Sequence, residues 1–168
     1  MKSPLSFLML FLLSLAPVHA GNVRLPSDGA MKLQVTIPDG WKTSVDNEGV
    51  LDADSADEAL GLLSWAVDKA ELENFKDATH KLALILKDCA TQIRVAGPPR
   101  QGQIGNVRTL LFQGTGIDAE DKSPVQFRAL ILIGGPENVT VLYLAADSKV
   151  GQLRLAMLDR IVNSVRPE

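Results

Sequence analysis

Two stretches near the C-terminal end, residues 129–133 and 141–146, are apolar on both faces of any strand they form. Leu130, Ile131, Leu132 and Ile133 are consecutive. Side chains alternate across a strand, so this run puts hydrocarbon above and below the backbone. Such a strand needs cover on both sides. Both runs are strand-sized and fall far short of the ~18 apolar residues that suggest a membrane span. The chain must therefore supply amphipathic elements for two faces of one sheet.

The preceding sequence offers the partners. Residues 31–37 alternate, with Leu33, Val35 and Ile37 on one face and Lys32, Gln34 and Thr36 on the other, which predicts a half-buried strand. Pro38-Asp39-Gly40 ends it with turn chemistry, and Trp41 follows as an anchor. Short strands at 42–45 and 50–54 form a hairpin about a turn at 46–49. Residues 59–67 carry Leu60, Leu62, Leu63, Trp65 and Val67 and read as a central strand. The period then changes. Phe75, Ala78, Leu82, Ile85, Leu86, Cys89 and Ile93 recur at three and four residues, which predicts a helix over 72–90, with Asp77 and Lys81 paired on its polar face. Gly97-Pro98-Pro99 opens a loop that runs to Asn106.

Strands at 107–116, 123–133 and 139–146, joined by short connections, form an antiparallel meander. A closing helix, capped by Asp147 or Ser148, buries Val150, Leu153, Met157, Leu158, Ile161 and Val165 and ends at Pro167. The resulting fold class is α+β, a twisted and mainly antiparallel sheet sandwiched between helices on opposite faces.

The first twenty residues read as an export signal. Lys2 supplies the positive start, residues 5–15 form a short apolar run, and Val18-His19-Ala20 puts small residues where a signal peptidase reads them. Cleavage is expected between Ala20 and Gly21, followed by a poorly ordered lead-in over 21–30 and one domain over 31–168. The position after the cut holds glycine rather than a lipid-accepting cysteine, so the expected product is soluble in the periplasm or outside the cell. Lys2 is the one charged residue of the leader, which leaves 16 basic against 20 acidic side chains and a net charge of −4. That balance argues against nucleic acid or an anionic membrane as the main partner. Cys89 is the sole cysteine and is read as a small buried hydrophobe.

With these elements in order, the chain resembles the PsbP-like superfamily. The resemblance rests on the strand ending in Pro38-Asp39-Gly40-Trp41, the Trp65 strand, the long helix, and the Gly105-Asn106 lead into a three-strand meander. The closing Ile161-Val162-Asn163-Ser164-Val165-Arg166-Pro167 completes it. That superfamily includes bacterial DcrB-type envelope proteins and the Ran-binding nucleotide-release factor. The resemblance implies an α/β/α sandwich used by non-enzymatic accessory and binding proteins, among them chaperones or neutralisers of type VI secretion effectors. The chain departs from many bacterial envelope members in lacking the lipoprotein cysteine and from the cytoplasmic effector chaperones in its expected export, and a shared fold transfers no single role.

Catalytic chemistry is sparse. His80 is the sole histidine after the leader and falls on the exposed side of its helix, so a histidine-based nucleophile system is not expected. One histidine and one cysteine cannot make a zinc or copper site. Asp52, Asp54, Asp57 and Glu58 are close enough to raise calcium, but Ala56 stands at a ligand position of an EF-hand spacing and no glycine follows. Gly114-Thr115-Gly116 and Gly134-Gly135 lack the helix and lysine of a phosphate loop and suit a β-bulge and a hairpin turn. No cofactor is expected.

Two candidate partner-binding surfaces remain. One is the 97–106 loop, with Arg100, Gln101, Gln103 and an unexplained Ile104. The other is the acidic stretch Asp46, Glu48, Asp52, Asp54, Asp57 and Glu58, suited to steering a basic protein. The expectation is an exported, non-catalytic binding protein acting on a protein partner, with a type VI immunity or accessory role as its sharpest form. Two alternatives stay open: a hydrolase whose carboxylates converge on folding, and a carrier of a small apolar ligand held between sheet and helix.

Overall fold

The computed structural model describes residues 21–26, 32–73 and 77–168. The export signal, the rest of the lead-in over 27–30, and Met31 and Phe75 lie outside the described residues. In chain order the elements are β1 (Asn22–Arg24), β2 (Leu33–Thr36), β3 (Lys42–Val45), β4 (Leu51–Asp54) and β5 (Leu60–Asp68). Then come α1 (Lys69–Glu73), α2 (Ala78–Ile85), β6 (Ala90–Val95), β7 (Arg100–Ile104) and β8 (Val107–Asp118). β9 (Pro124–Ile133), β10 (Asn138–Asp147), α3 (Gln152–Asn163) and β11 (Arg166–Pro167) complete the chain.

An eight-stranded antiparallel sheet, β3-β4-β5-β10-β9-β8 with β6 and β7 both on the outer side of β8, forms the body. The doubly apolar strands lie at its centre, as their composition demands: β10 pairs with β5 on one side and β9 on the other. Alternation then divides the core in two. Leu130, Leu132, Leu142 and Leu144 point to the face covered by Leu155, Leu158, Ile161 and Val162 of α3. Phe127, Ala129, Ile131, Val141 and Tyr143 point to the other, beneath Leu82, Ile85 and Leu86 of α2. Each of the buried Leu, Ile, Val and Phe side chains contributes about 1.5–3 kcal/mol relative to exposure.

The α3 face is shared with a second, three-stranded sheet, β1-β2-β11, whose Leu33 and Val35 join the same core. Over residues 21–26 of the expected lead-in this replaces a loose segment with a strand. Val23 and Leu25 alternate into the core, and the segment is clipped by Leu25 N–H to Leu33 C=O at 2.9 Å and Ile37 N–H to Gly21 C=O at 2.8 Å. β11 joins where the closing helix was expected to persist to Pro167.

The helices also depart from expectation. α2 stops at Ile85, and the chain turns through 86–89 to leave as β6. Asp77 is the cap of α2, accepting from His80 N–H at 3.3 Å, instead of pairing with Lys81 along the helix. Ile93 fits either period, but Thr91, Ile93 and Val95 are β-branched at strand spacing, and the outer side of β8 offers a ladder. The stripe of α3 is also shifted. Leu153 is 90% exposed, while Leu155 and Val162 are buried. The cap position is Gly151, later than Asp147 or Ser148, and this start sets the helix phase.

The glycines of the 114–116 segment do mark a bulge, but one in the neighbouring strand. The β6 register shifts between Thr91 and Arg94, with Gln92 at φ 50°. A Cβ at Gly114 would stand 2.4 Å from the Arg94 carbonyl oxygen, so only glycine admits that backbone.

Candidate binding surfaces

The segment expected as the 97–106 loop is mostly a strand. β7 pairs with β8 through Arg100↔Leu111, Gly102↔Thr109 and Ile104↔Val107, and Gly105-Asn106 makes a two-residue turn. Gly105 has φ 59°, as the first central position of a type II′ turn requires. In such a hairpin the closing pair exchanges ladder hydrogen bonds, and alternate residues turn their backbone groups outward. Ile104, Gly102 and Arg100 therefore bond inward, while the N–H and C=O of Gln101 and Gln103 face away from β8. Among the described residues β7 pairs with β8 alone. It is a free sheet edge.

The side chains of β7 divide in the same way. Ile104 packs against the α3-side core, and Gly102 lies so close to Thr109 that a Cβ would approach its hydroxyl oxygen to 2.8 Å. Two small clefts flank the strand. One, of about 210 Å³, runs between β7 and the end of α3, against Val162 and Val165. The other, of about 240 Å³, lies over Gly97, Pro98 and Leu111, and Arg100 borders both. Three of the four residues expected here, Arg100, Gln101 and Gln103, are exposed, and Ile104 is half-buried.

The acidic stretch is not one surface. Asp46 is a turn residue, accepting from Glu48 N–H at 2.9 Å and Val50 N–H at 2.8 Å. Glu48 is exposed beside it. Asp52 and Asp54 stand on β4 with side chains opposite to the buried Leu51 and Ala53. Partial burial first, then the Asp54 charge, pushes the Asp52 carboxyl above the usual range; burial and then Glu58 do the same to Asp54. Asp57 turns the other way, to the α3 face, where Arg154 grips it at 2.5 and 2.6 Å. That guanidinium, with the Ser55 hydroxyl, holds Asp57 well below the usual carboxylate range. Glu58, at φ 58°, stands 3.7 Å from Lys42 on the exposed edge. The carboxylates thus split between two faces and a turn. Among the described residues no group of three or more His, Cys, Asp or Glu is gathered to hold a metal.

Reactive groups are muted. Cys89 lies in the turn after α2, off the helical stripe, and burial together with Asp88 and Asp118 pushes its thiol up to about 11. His80 is exposed and bonded through Nδ1 to Asp77 at 2.9 Å. Trp41 is buried, and Trp65 is packed partly buried against the α2-side core. Arg128, mostly buried, is satisfied by Asp159 of α3 at 2.8 Å.

A cleft of about 400 Å³ occupies the place between sheet and helix that the apolar-carrier alternative requires, although none of its lining residues was singled out as a site in the sequence. It opens between α2 and the sheet. Leu82 and Ile85 line it from above and Leu110, Phe112, Ile131 and Ile133 from below, with Lys69, Lys81 and Arg108 among its walls.

These features define an α+β fold, mainly β, in which, among the described residues, eight- and three-stranded antiparallel sheets carry three short helices. No protein-family model matches the chain, and no curated protein does. Among solved structures, a protein of Bacteroides thetaiotaomicron VPI-5482 is similar with a TM-score of 0.50 at 12% identity. The match covers 90% of this chain and 49% of that one, so this chain spans about half its length. LpqN of Mycobacterium tuberculosis, involved in cell envelope biogenesis, gives a TM-score of 0.49 at 16% identity, covering 91% of this chain and 90% of LpqN. At such identities the likeness to the Bacteroides protein shows the fold alone. Among the described residues no helix is long and apolar enough to cross a membrane.

Proposed function

We propose that this chain is an exported, non-catalytic binding protein of the bacterial envelope, of PsbP-like type, that takes a protein partner along the free edge of β7. The observation that carries the reading is the outward pair of backbone groups at Gln101 and Gln103, with one cleft along the strand and a second at its Arg100 end. An added strand gains main-chain hydrogen bonds from such an edge, and flanking pockets receive its alternate side chains. Pro98 and Pro99 close one end of the edge and the Gly105 turn the other, so the acceptor is short and does not invite indefinite stacking. Arg100 adds a cation at the rim, which favours a partner with an acidic residue near its docking strand. The raised Cys89 thiol, a poor nucleophile, is in keeping with a role in shape and surface.

Gln103→Pro removes an outward N–H without touching the β8 ladder. It should weaken the complex roughly fivefold, the equivalent of about 1 kcal/mol, at an unchanged thermal midpoint. A photo-crosslinking residue at Gln101 should capture, in the native host, a protein that the same residue at Glu120 in the β8–β9 turn does not. If both positions give the same adducts, edge docking is wrong. In its type VI form the proposal further requires a nanomolar complex with an effector encoded beside it.

A further inference from the structure

The cleft beneath α2 combines two properties that belong to one kind of ligand. Its floor and roof are hydrocarbon: Leu110, Phe112 and Ile131 below, Leu82 and Ile85 above. Its charged lining consists of Lys69, Lys81 and Arg108, with no carboxylate among the described residues that border it. None of these cations is in an ion pair among the described residues. Two of them flank the β9–β10 turn. Arg108 lies opposite Ile133 at the end of β9, and Lys69 donates to the Pro136 carbonyl at 3.2 Å and also to that of Gly135. Those bonds hold the Lys69 ammonium at the cleft wall, and both acceptors are neutral carbonyls. The charge placement runs against the whole chain, which carries more acid than base.

We propose that this cleft binds a single-chain anionic amphiphile, a free medium-chain fatty carboxylate, with its tail between α2 and the sheet and its head among the three cations. The volume of about 400 Å³ lies at the small end of the ~300–1,000 Å³ of ligand pockets. That space suits one alkyl chain and not the pair carried by a phospholipid. The site lies on the α2 side of the sheet and does not depend on β7 docking.

The protein secreted by its expression host is titrated with monomeric decanoate by calorimetry. Octanoate should bind more weakly by about fourfold for each methylene lost. Decanol should bind roughly tenfold more weakly than decanoate, and decyltrimethylammonium more weakly still. Lys81→Gln and Arg108→Gln should each reduce decanoate affinity roughly tenfold and leave decanol unchanged. Ala78→Trp, at a half-buried lining position in the first turn of α2, should abolish binding of every chain while the circular dichroism spectrum is retained. Equal affinity for decanoate and decanol would overturn the role of the cations. Undiminished binding by a folded Ala78→Trp protein would place the ligand elsewhere, and no decanoate binding, or binding only to anionic phospholipid vesicles, would reject the site.

Discussion

Tyr143→Phe should stabilise this protein. Tyr143 lies on β10 at the centre of the large sheet, 3% exposed, with its ring centroid 6.0 Å from that of Phe127. Its hydroxyl is buried and has no hydrogen-bond partner among the described residues. Burial first, then Cys89 and Asp118, drives its phenol above the ordinary range, the expected mark of a desolvated group beside groups that disfavour its anion. A buried polar group without a partner costs about 1–3 kcal/mol. Phenylalanine removes that cost and keeps the ring contact. The substitution forfeits the dispersion contacts of one oxygen, at ~0.1–0.2 kcal/mol per atom pair, or roughly half a kcal/mol in all. The net expectation is a gain of about 1 kcal/mol. For a domain near 150 residues, that raises the thermal midpoint by roughly 2–4 °C. Urea unfolding followed by circular dichroism should show a higher midpoint at an unchanged slope. A midpoint that falls would mean that the hydroxyl is satisfied in solution, and the reasoning from its isolation would fail.

Two further substitutions test the packing and the charge balance. Gly114→Ala should cost about 2–3 kcal/mol, because its Cβ would meet the Arg94 carbonyl oxygen at 2.4 Å and Phe127 Cζ at 2.9 Å. Gly116→Ala, where the nearest approach is 3.1 Å, should cost clearly less, and equal costs by denaturant titration would refute the bulge explanation. Asp52→Asn should raise stability at neutral pH by a few tenths of a kcal/mol. The sign follows from the raised carboxyl: its ionised form is disfavoured in the folded state, so stability falls as pH rises from the unfolded value, ~3.9, through the folded one. The benefit should therefore vanish below about pH 4, and a destabilised variant at neutral pH would contradict it.

Much of the fold was legible because periodicity reports burial directly. The β2 alternation and the doubly apolar β9 and β10 could satisfy water and core in one way only, and the structure follows them. Legibility failed where local pattern left two solutions. Residues 90–95 fit the tail of a helix or a strand, and the open side of β8 decided for the strand. The glycine- and proline-rich 97–106 segment has the composition of a loop, yet pairing with β8 supplies a ladder that composition does not register. The candidate surfaces fared in the same manner. Arg100, Gln101, Gln103 and Ile104 were found as residues but not as a strand edge, and the six acidic residues, neighbours in sequence, divide between a turn and two faces.

By itself the amino-acid order determined the class of fold: an α+β chain whose two most apolar strands demand cover on both faces. Those properties depend on each residue's own chemistry and on its near neighbours. Only the tertiary structure decided which surfaces exist. Arg154 draws Asp57 away from Asp52 and Asp54, and Lys69, Lys81 and Arg108 meet around one apolar cleft although they come from separate stretches of chain. Charges distant in sequence act together only when packing sets them side by side, and no local pattern encodes that distance.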